Sequence, residues 1–279
     1  MTSNPSLRLS NLISVEDLAA ALDDDLTLVL LDVRFTPGTP GRRDSYLEGH
    51  LPGARYIDLP TELADPAARE HGRGSNPLPK IERLAEDIGR LGISNESRIV
   101  VYDDTNGAPA ARAWWTLTWA GLTDVKVLDG GLAGWKASGR TVETGEGVVP
   151  SIGRVELIAN TLPSIDVNQV ASLPADTTLV DVRPSSSFTG EGNGHIPGAK
   201  SFPVDRLIGT DGKLIAPDEL KEKLSDADID LSQPIAAYCG GGIASSLFTL
   251  ALSEIGKDVA LYPGSWSEWT ADKSRPVEL

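Results

Sequence analysis

Four short sequence blocks occur twice in this chain, in the same order both times. The pairs are LLDVR (30–34) with LVDVR (179–183), GHLPGA (49–54) with GHIPGA (194–199), IVVYD (99–103) with IAAYC (235–239), and GGLAGW (130–135) with GSWSEW (264–269). The distance between the copies drifts only slowly along the 279 residues. This pattern predicts a tandem duplication of a unit of roughly 125–145 residues, which is long enough to form a domain.

Each copy alternates short β-branched runs with helical patterns, which predicts a parallel sheet flanked by helices. Residues 28–33 and 178–182 are nearly continuous apolar runs, typical of strands buried on both faces. We expect two α/β domains, residues 1–142 and 154–279, joined by a linker at residues 143–153 that is rich in Gly, Thr and Val. A single continuous domain is the less favoured alternative.

The charge balance and residue counts exclude several classes of protein. Lys and Arg total 25 against 40 Asp and Glu, a net charge of −15, which disfavours nucleic acid and anionic membrane as partners. One cysteine and three histidines leave no disulfide framework and supply a metal site poorly. The chain has no run of 18 apolar residues and its first twelve residues lack a signal-peptide pattern, so we expect a soluble, cytoplasmic protein. Because the duplication already provides an internal interface, a monomer is the default expectation.

The one cysteine, Cys239, lies between a predicted strand and a predicted helix, and three glycines follow it. In such a loop the backbone N–H groups and the positive end of the helix dipole favour a thiolate, which is the competent nucleophile. The alternative is a buried structural cysteine beside a tight turn. Since the first copy carries Asp103 at the matching position, one half of the chain is expected to lack catalytic activity.

With these blocks the chain resembles the two-domain rhodanese-type sulfurtransferases, which include thiosulfate and 3-mercaptopyruvate sulfurtransferases. The resemblance implies two α/β rhodanese domains, a catalytically silent first one, and no metal or organic cofactor. It also implies that Cys239 takes a sulfane sulfur from thiosulfate or 3-mercaptopyruvate as a persulfide. The sulfur then passes to cyanide, a small thiol or a thioredoxin-like protein. The implied cradle of backbone N–H groups for the anionic sulfur is Gly240, Gly241, Gly242, Ile243 and Ala244.

Departures from the family pattern leave the sulfur donor open. Thiosulfate-specialised members have Arg and Lys where this chain has Gly240 and Gly241. The mercaptopyruvate branch has a serine and a threonine where Gly241 and Ala244 stand, so no loop hydroxyl is expected to relay protons. That branch also has substrate-holding arginines in the segment aligned with residues 184–193, which contains no basic residue and has Ser187 at the aligned arginine position.

Several other residues have both a functional and a structural interpretation. Asp181 and Arg183 can support the site or form an ion pair, as Asp32 and Arg34 would in the first copy. His50 matches a histidine proposed for proton transfer in the mercaptopyruvate branch, but His195 occupies the same place in the other copy, which favours a structural role. Trp266 could form part of the pocket wall, or it could fill the interface between the halves. Three cations of the first copy could reach a substrate anion or have only a structural role: Arg42, Arg43 and Arg112.

Two competing functions follow from the same loop. A cysteine phosphatase needs an arginine six residues after the cysteine to clamp phosphate, and Ser245 stands there, so this function is excluded. A non-catalytic module, or a sulfur carrier loaded by a protein partner, remains open because the substrate arginines are missing. Turnover with small donors would separate a carrier from an enzyme.

Overall fold

The computed structural model describes residues 10–24, 27–39, 41–149, 151–189 and 194–279, without the side chains of residues 23 and 24. The amino-terminal segment used in the signal-peptide argument therefore lies mostly outside the described residues, as do positions 190–193 of the arginine-poor segment. No helix within the described ranges combines the length and the apolar character needed to span a membrane.

Two parallel β-sheets form the centres of the two halves. The first has the strand order β1-β5-β4-β2-β3 and the second β7-β6-β8-β9. The strands are β1 (Leu12–Ile13), β2 (Leu28–Asp32), β3 (Arg55–Tyr56), β4 (Arg98–Tyr102), β5 (Val125–Leu128), β6 (Thr178–Asp181), β7 (Lys200–Ser201), β8 (Ile235–Tyr238) and β9 (Ala260–Leu261). Every strand pair in both sheets is parallel. This confirms the predicted fold class.

Helices cover the faces of both sheets. In the first half they are α1 (Val15–Asp24), α2 (Arg43–Glu48), α3 (Leu59–Glu62), α4 (Pro66–Glu70), α5 (Ile81–Arg90), α6 (Ala108–Trp119) and α7 (Gly131–Ala137). In the second half they are α8 (Val167–Ala171), α9 (Ser185–Thr189), α10 (Pro217–Asp226), α11 (Ala244–Glu254) and α12 (Ser265–Trp269), with a 3₁₀ helix at Val204–Leu207.

The duplication is visible in the closing contact of each half. In the first half His50 forms an antiparallel bridge with Glu143, and in the second half His195 forms the same bridge with Glu278. Each glutamate also accepts the N–H of the glycine three residues after its histidine, Gly53 or Gly198, at 2.9 and 2.8 Å. The repeated GH[LI]PG block therefore folds into the same turn twice.

The segment predicted as a linker lies along the first half of the chain. Besides the Glu143 bridge, the N–H of Gly145 donates to the carbonyl of Leu47, and the N–H of Gly153 donates to the carbonyl of Gly89. The domain bounds stay predictions, but these contacts tie Glu143, Gly145 and Gly153 to the first half.

Helices α6 and α11 pack against each other between the two halves. Both are buried over most of their length, because small and apolar residues cover nearly all their faces, as in helices surrounded by protein. Their side chains join one hydrophobic core that includes Trp114 and Leu117 of α6 and Leu247 and Phe248 of α11. Each helix follows a loop that leaves the central strand of its sheet, so the packing brings the two loops to one interface.

Candidate active site

Cys239 follows directly after β8, and its side chain is only 3% exposed. Its Sγ accepts a hydrogen bond from the N–H of Gly242 at 3.1 Å. The Oγ of Ser245 lies 3.5 Å from the same sulfur, on the first turn of α11. Helix α12 holds the backbone of the loop, since the N–H of Trp266 donates to the carbonyl of Cys239 at 3.0 Å.

The predicted cradle divides into two parts. Gly242 supplies the N–H that bonds Sγ, whereas Gly240, Gly241, Ile243 and Ala244 line a cavity beside the cysteine. Residues 240–244 carry no hydroxyl, as the sequence indicates, but a hydroxyl from the first turn of α11 does reach the sulfur. This hydroxyl belongs to Ser245, which is fully buried beside Sγ. The sequence argument used Ser245 only to show that the phosphatase arginine is missing.

Gly242 is required at its position for steric reasons. Its φ of +79° is in the left-handed region that side chains disfavour. A Cβ there would lie 2.4 Å from the carbonyl oxygen of Pro263 and 2.9 Å from Nη1 of Arg112. The backbone N–H can point at the sulfur because no side chain occupies this space.

Arg112, from α6 of the first half, supports the Cys239 loop from inside the protein. Its side chain is fully buried; Nη1 donates to the carbonyl of Gly242 at 3.0 Å and Nη2 to the carbonyl of Asn76 at 2.9 Å. Nε has no hydrogen-bond partner, and the described part of the chain provides no carboxylate for the guanidinium. Burial lowers the pKa of Arg112 to about 10, with the charge of Cys239 acting in the opposite direction. The residue is therefore cationic at neutral pH.

A second element of the first half, the loop before α5, touches the cysteine loop directly. Asn76 donates from Nδ2 to the carbonyl of Gly241 at 3.0 Å, and the N–H of Ser75 donates to Oγ of Ser267 at 2.8 Å. A Cβ on Gly241 would lie 3.0 Å from the side chains of both Asn76 and Ser75. The second glycine of the loop thus permits close contact between the two halves.

The cavity above Cys239 has a volume of about 940 Å³. Its walls come mainly from the first half, including residues 35–39 after β2, Thr105 and Asn106 before α6, and Ala108 and Pro109 at the start of α6. Arg69 is the one charged residue among those described in its lining. A small molecule that enters would meet a largely neutral wall with the cysteine at its base.

Asp103 fills the corresponding loop of the first half with its own carboxylate. Oδ1 accepts from the N–H of Thr105 at 2.8 Å, the hydroxyl of Thr105 at 3.0 Å and the N–H of Gly107 at 3.1 Å, and Oδ2 accepts from the N–H of Ala110 at 3.0 Å. Burial raises the pKa of Asp103, while these donors act to lower it. The loop donors that could hold a ligand are already satisfied by the side chain.

Asp181 and Arg183 form an ion pair that is repeated in the first half. Arg183 Nη2 lies 2.5 Å from Oδ2 of Asp181 and 2.7 Å from the carbonyl of Gly194. Arg34 and Asp32 make the same contacts, with Nη2 at 2.9 Å from Oδ2 and 2.6 Å from the carbonyl of Gly49. A pair present in both halves, with and without the cysteine, fastens the strand end to the following turn.

The structure does not bring three other predicted site residues to the cavity wall. His50 is buried and stacked on Tyr46 at 4.1 Å, with Nδ1 3.0 Å from the carbonyl oxygen of Tyr46. His195 repeats this stacking on Phe188 at 3.7 Å. Ser187 lies in α9, and the ring of Trp266 packs under the Arg183 guanidinium at 4.3 Å.

Of the three first-half cations predicted as candidates, Arg112 is the one that the described contacts bring to the Cys239 loop. Arg42 pairs with Asp104 at 2.8 Å, and Arg43 pairs with Glu146 at 2.5 Å. Among the described residues, no three His, Cys, Asp or Glu side chains gather into a set that could hold a metal ion.

A duplicated parallel α/β fold with one thiol, held in the strand-to-helix loop of the second copy and replaced by aspartate in the first, defines a class of tandem-domain proteins with a single cysteine site. The chain belongs to the rhodanese family, since the family model for the Rhodanese-like domain matches residues 14–138 and 166–272. The resemblance expected from the sequence is confirmed.

Relatives match the chain over nearly its whole length. SseB of Mycobacterium tuberculosis, provisionally named a thiosulfate sulfurtransferase, is 39% identical over 277 residues, covering 95% of this chain and 96% of its own. The 3-mercaptopyruvate sulfurtransferase of Escherichia coli K12 is 32% identical over 271 residues, covering 91% of this chain and 93% of its own. The crystal structure of SseA from Escherichia coli, described as a 3-mercaptopyruvate sulfotransferase, matches with a TM-score of 0.82 at 31% identity, covering 92% of this chain and 99% of that chain.

Proposed function

We propose that this chain is a sulfurtransferase that moves a sulfane sulfur from thiosulfate or 3-mercaptopyruvate, through a persulfide on Cys239, to cyanide or a thiol acceptor. The reaction class is supported by the names of relatives that are 32–39% identical. The observation that carries the proposal is the position of Sγ, which lies at the base of a cavity and 3.1 Å from the N–H of Gly242.

The proposed reaction has two displacements at sulfur. The Cys239 thiolate attacks the outer sulfur of the donor and forms an S–S bond. With thiosulfate the original S–S bond breaks and sulfite leaves with the electron pair. With 3-mercaptopyruvate the C–S bond breaks and the electron pair stays on carbon, which takes a proton to give pyruvate. Cyanide or a thiolate then attacks the outer persulfide sulfur and releases Cys239 as thiolate.

The groups around the sulfur suit a negative charge that persists through both steps. The Gly242 N–H and the Ser245 hydroxyl face Sγ, and the Arg112 cation lies behind the Gly242 peptide. Fixed donors in a buried site stabilise such charge without reorganising during the reaction. No step needs a further oxidant or reductant.

A sulfur carrier loaded by a protein partner is the second candidate, and the arginine-poor cavity favours it. Against it, Cys239 is 3% exposed and opens onto a cavity walled by loops of the first half. A protein donor would have to insert an extended segment into this cavity to reach the sulfur, whereas a three-carbon donor such as 3-mercaptopyruvate fits inside it.

Intact-mass analysis tests the proposal. The reduced protein is incubated briefly with thiosulfate, or separately with 3-mercaptopyruvate, and then with cyanide. We expect a gain of one sulfur atom that cyanide removes and that Cys239→Ser does not show. Because Cys239 is the one cysteine of the chain, a gain cannot arise at another thiol. No gain from either donor in the folded protein would overturn the enzyme proposal in favour of the carrier.

The monomeric state and the cytoplasmic location stay predictions from the sequence. Light scattering on the purified chain checks the first, and a mass corresponding to two chains would contradict it. Cell fractionation of the native protein checks the second.

A further inference from the structure

Both proposed donors are anions, and the chain carries a net charge of −15. An anion that approaches this protein is repelled overall, so a local cation is needed at the cavity. The positions at which relatives are expected to hold cations carry Gly240, Gly241 and Ser187 here. The group that recognises the donor must therefore come from another part of the molecule.

Arg69, in α4, is the charged residue that the described cavity lining contains. Its Nε donates to the carbonyl of Ser75 at 2.6 Å, and its Nη2 donates to the carbonyl of Pro60 at 2.9 Å. Both partners are neutral carbonyl oxygens, and within the described ranges no carboxylate pairs with this guanidinium. Nη1 makes no hydrogen bond there either. The head group is thus held in place with its charge uncompensated and one nitrogen available.

A chain of hydrogen bonds connects Arg69 to the Cys239 loop. Ser75, whose carbonyl holds Nε, packs against Gly241, where an added Cβ would lie 3.0 Å from the serine Cβ. The N–H of Ser75 is bonded to Ser267, which in turn donates its own N–H to the carbonyl of Gly240. Arg69 is therefore fixed relative to the loop that carries Cys239, although it belongs to the other half of the chain.

We propose that Arg69 binds the anionic group of the sulfur donor, the carboxylate of 3-mercaptopyruvate or the SO₃ group of thiosulfate. This inference rests on the proposed function for the identity of the ligand. The feature itself, an unpaired cation fixed in a neutral cavity beside a thiol, calls for an oxyanion of either kind. Arg69 is thus a binding and specificity residue, and it takes no part in bond making.

The test compares the reaction of Cys239 with an anionic and a neutral thiolating reagent. Sulfonatoethyl methanethiosulfonate and methyl methanethiosulfonate both transfer a thioalkyl group to a thiolate and release methanesulfinate. We expect Arg69→Gln to lower the ratio of the anionic to the neutral rate constant by about three- to tenfold, as loss of one nearby, partly screened charge implies. Arg69→Lys keeps the charge and is expected to retain most of the ratio.

Arg83→Gln is the matched control. Arg83 is an exposed arginine of α5 that also donates to a carbonyl, that of Thr61, and it is outside the cavity lining. It changes the net charge by the same amount and should leave the ratio unchanged. A ratio that is equal in Arg69→Gln and the parent protein, or that falls equally in Arg83→Gln, overturns the proposal.

A kinetic arm then separates this inference from the proposed function. With cyanide as acceptor, Arg69→Gln should raise KM for the anionic donor at least fivefold and change kcat little. If the thiolation ratio falls but the parent protein turns over neither donor, the anion site stands and the enzyme proposal fails. If the parent turns over a donor and Arg69→Gln leaves both KM and the ratio unchanged, the enzyme stands and the Arg69 assignment fails.

Discussion

Replacement of Arg112 tests how the first half of the chain acts on the sulfur of the second. Arg112 donates to the carbonyl of Gly242, and the N–H of the same glycine donates to Sγ of Cys239. The guanidinium and the sulfur are therefore separated by one residue of backbone. Arg112→Gln keeps an amide that can donate to one of the two carbonyls but removes the positive charge.

The expected magnitude follows from this geometry. Two hydrogen bonds across one residue place the charges roughly 6 Å apart, and at an effective dielectric constant of about 20 their attraction is about 2–3 kcal/mol. Loss of that attraction disfavours negative charge on the sulfur and should lower the rate constant of its reaction with a neutral electrophile at pH 7 by about tenfold or more. The carbonyl left without a donor should lower the free energy of unfolding by about 1–3 kcal/mol.

The assay is the second-order rate constant for alkylation of Cys239 by iodoacetamide, a neutral reagent, at pH 7. Arg112→Lys is the control because it keeps a cation near the same place. The rate constant of Arg112→Lys should stay near that of the parent protein, and that of Arg112→Gln should fall. Thermal unfolding establishes that both variants are folded at the assay temperature. Identical rate constants for both folded variants and the parent would refute the electrostatic reasoning.

Two further pairs of variants test the loop and the repeated ion pair. Gly242→Ala should lower the free energy of unfolding by about 2 kcal/mol or more and slow sulfur loading, because its Cβ would lie 2.4 Å from the Pro263 oxygen at a positive φ. Gly240→Ala, with nothing within 4 Å of the added Cβ, should be tolerated in both urea unfolding and loading; equal losses would contradict the steric argument. Asp181→Asn and Asp32→Asn should each cost about 3–5 kcal/mol in urea unfolding, because each leaves a buried arginine without its carboxylate. Loss of sulfur loading in Asp181→Asn with unchanged stability would instead indicate a role in the site.

The fold and the position of Cys239 in a strand-to-helix loop were predictable because their signals are local in the sequence. Residues 28–33 and 178–182 are strand patterns that need no knowledge of the rest of the chain, and the repeated blocks fix their order. Cys239 followed by three glycines predicts a strand-to-helix turn with converging N–H groups. The substitution of Asp103 was visible as soon as the two copies were compared.

The walls of the site were not predictable, since they depend on contacts between the halves. Arg112 meets Gly242 across 130 positions of sequence, and Asn76 meets Gly241 across 165. Arg69 follows two alanines in a short helix and has no motif that would single it out. His50 and Ser187 were considered through positions in a family pattern, and here the first packs on Tyr46 and the second lies in α9.

During the proposed reaction cycle the charge on the Cys239 loop changes, whereas the charge on the loop of Asp103 stays the same. Four donors of its own loop already hold the Asp103 carboxylate, so the first loop has the same bonding whether or not sulfur is bound elsewhere. The second loop alternates between a thiolate and a longer persulfide in the proposed cycle. In that cycle the cavity therefore has one wall of constant charge and one wall whose charge and length change. In the proposed cycle the first copy, with Asp103 at the position of Cys239, thus provides a fixed surface beside the loop on which the chemistry takes place.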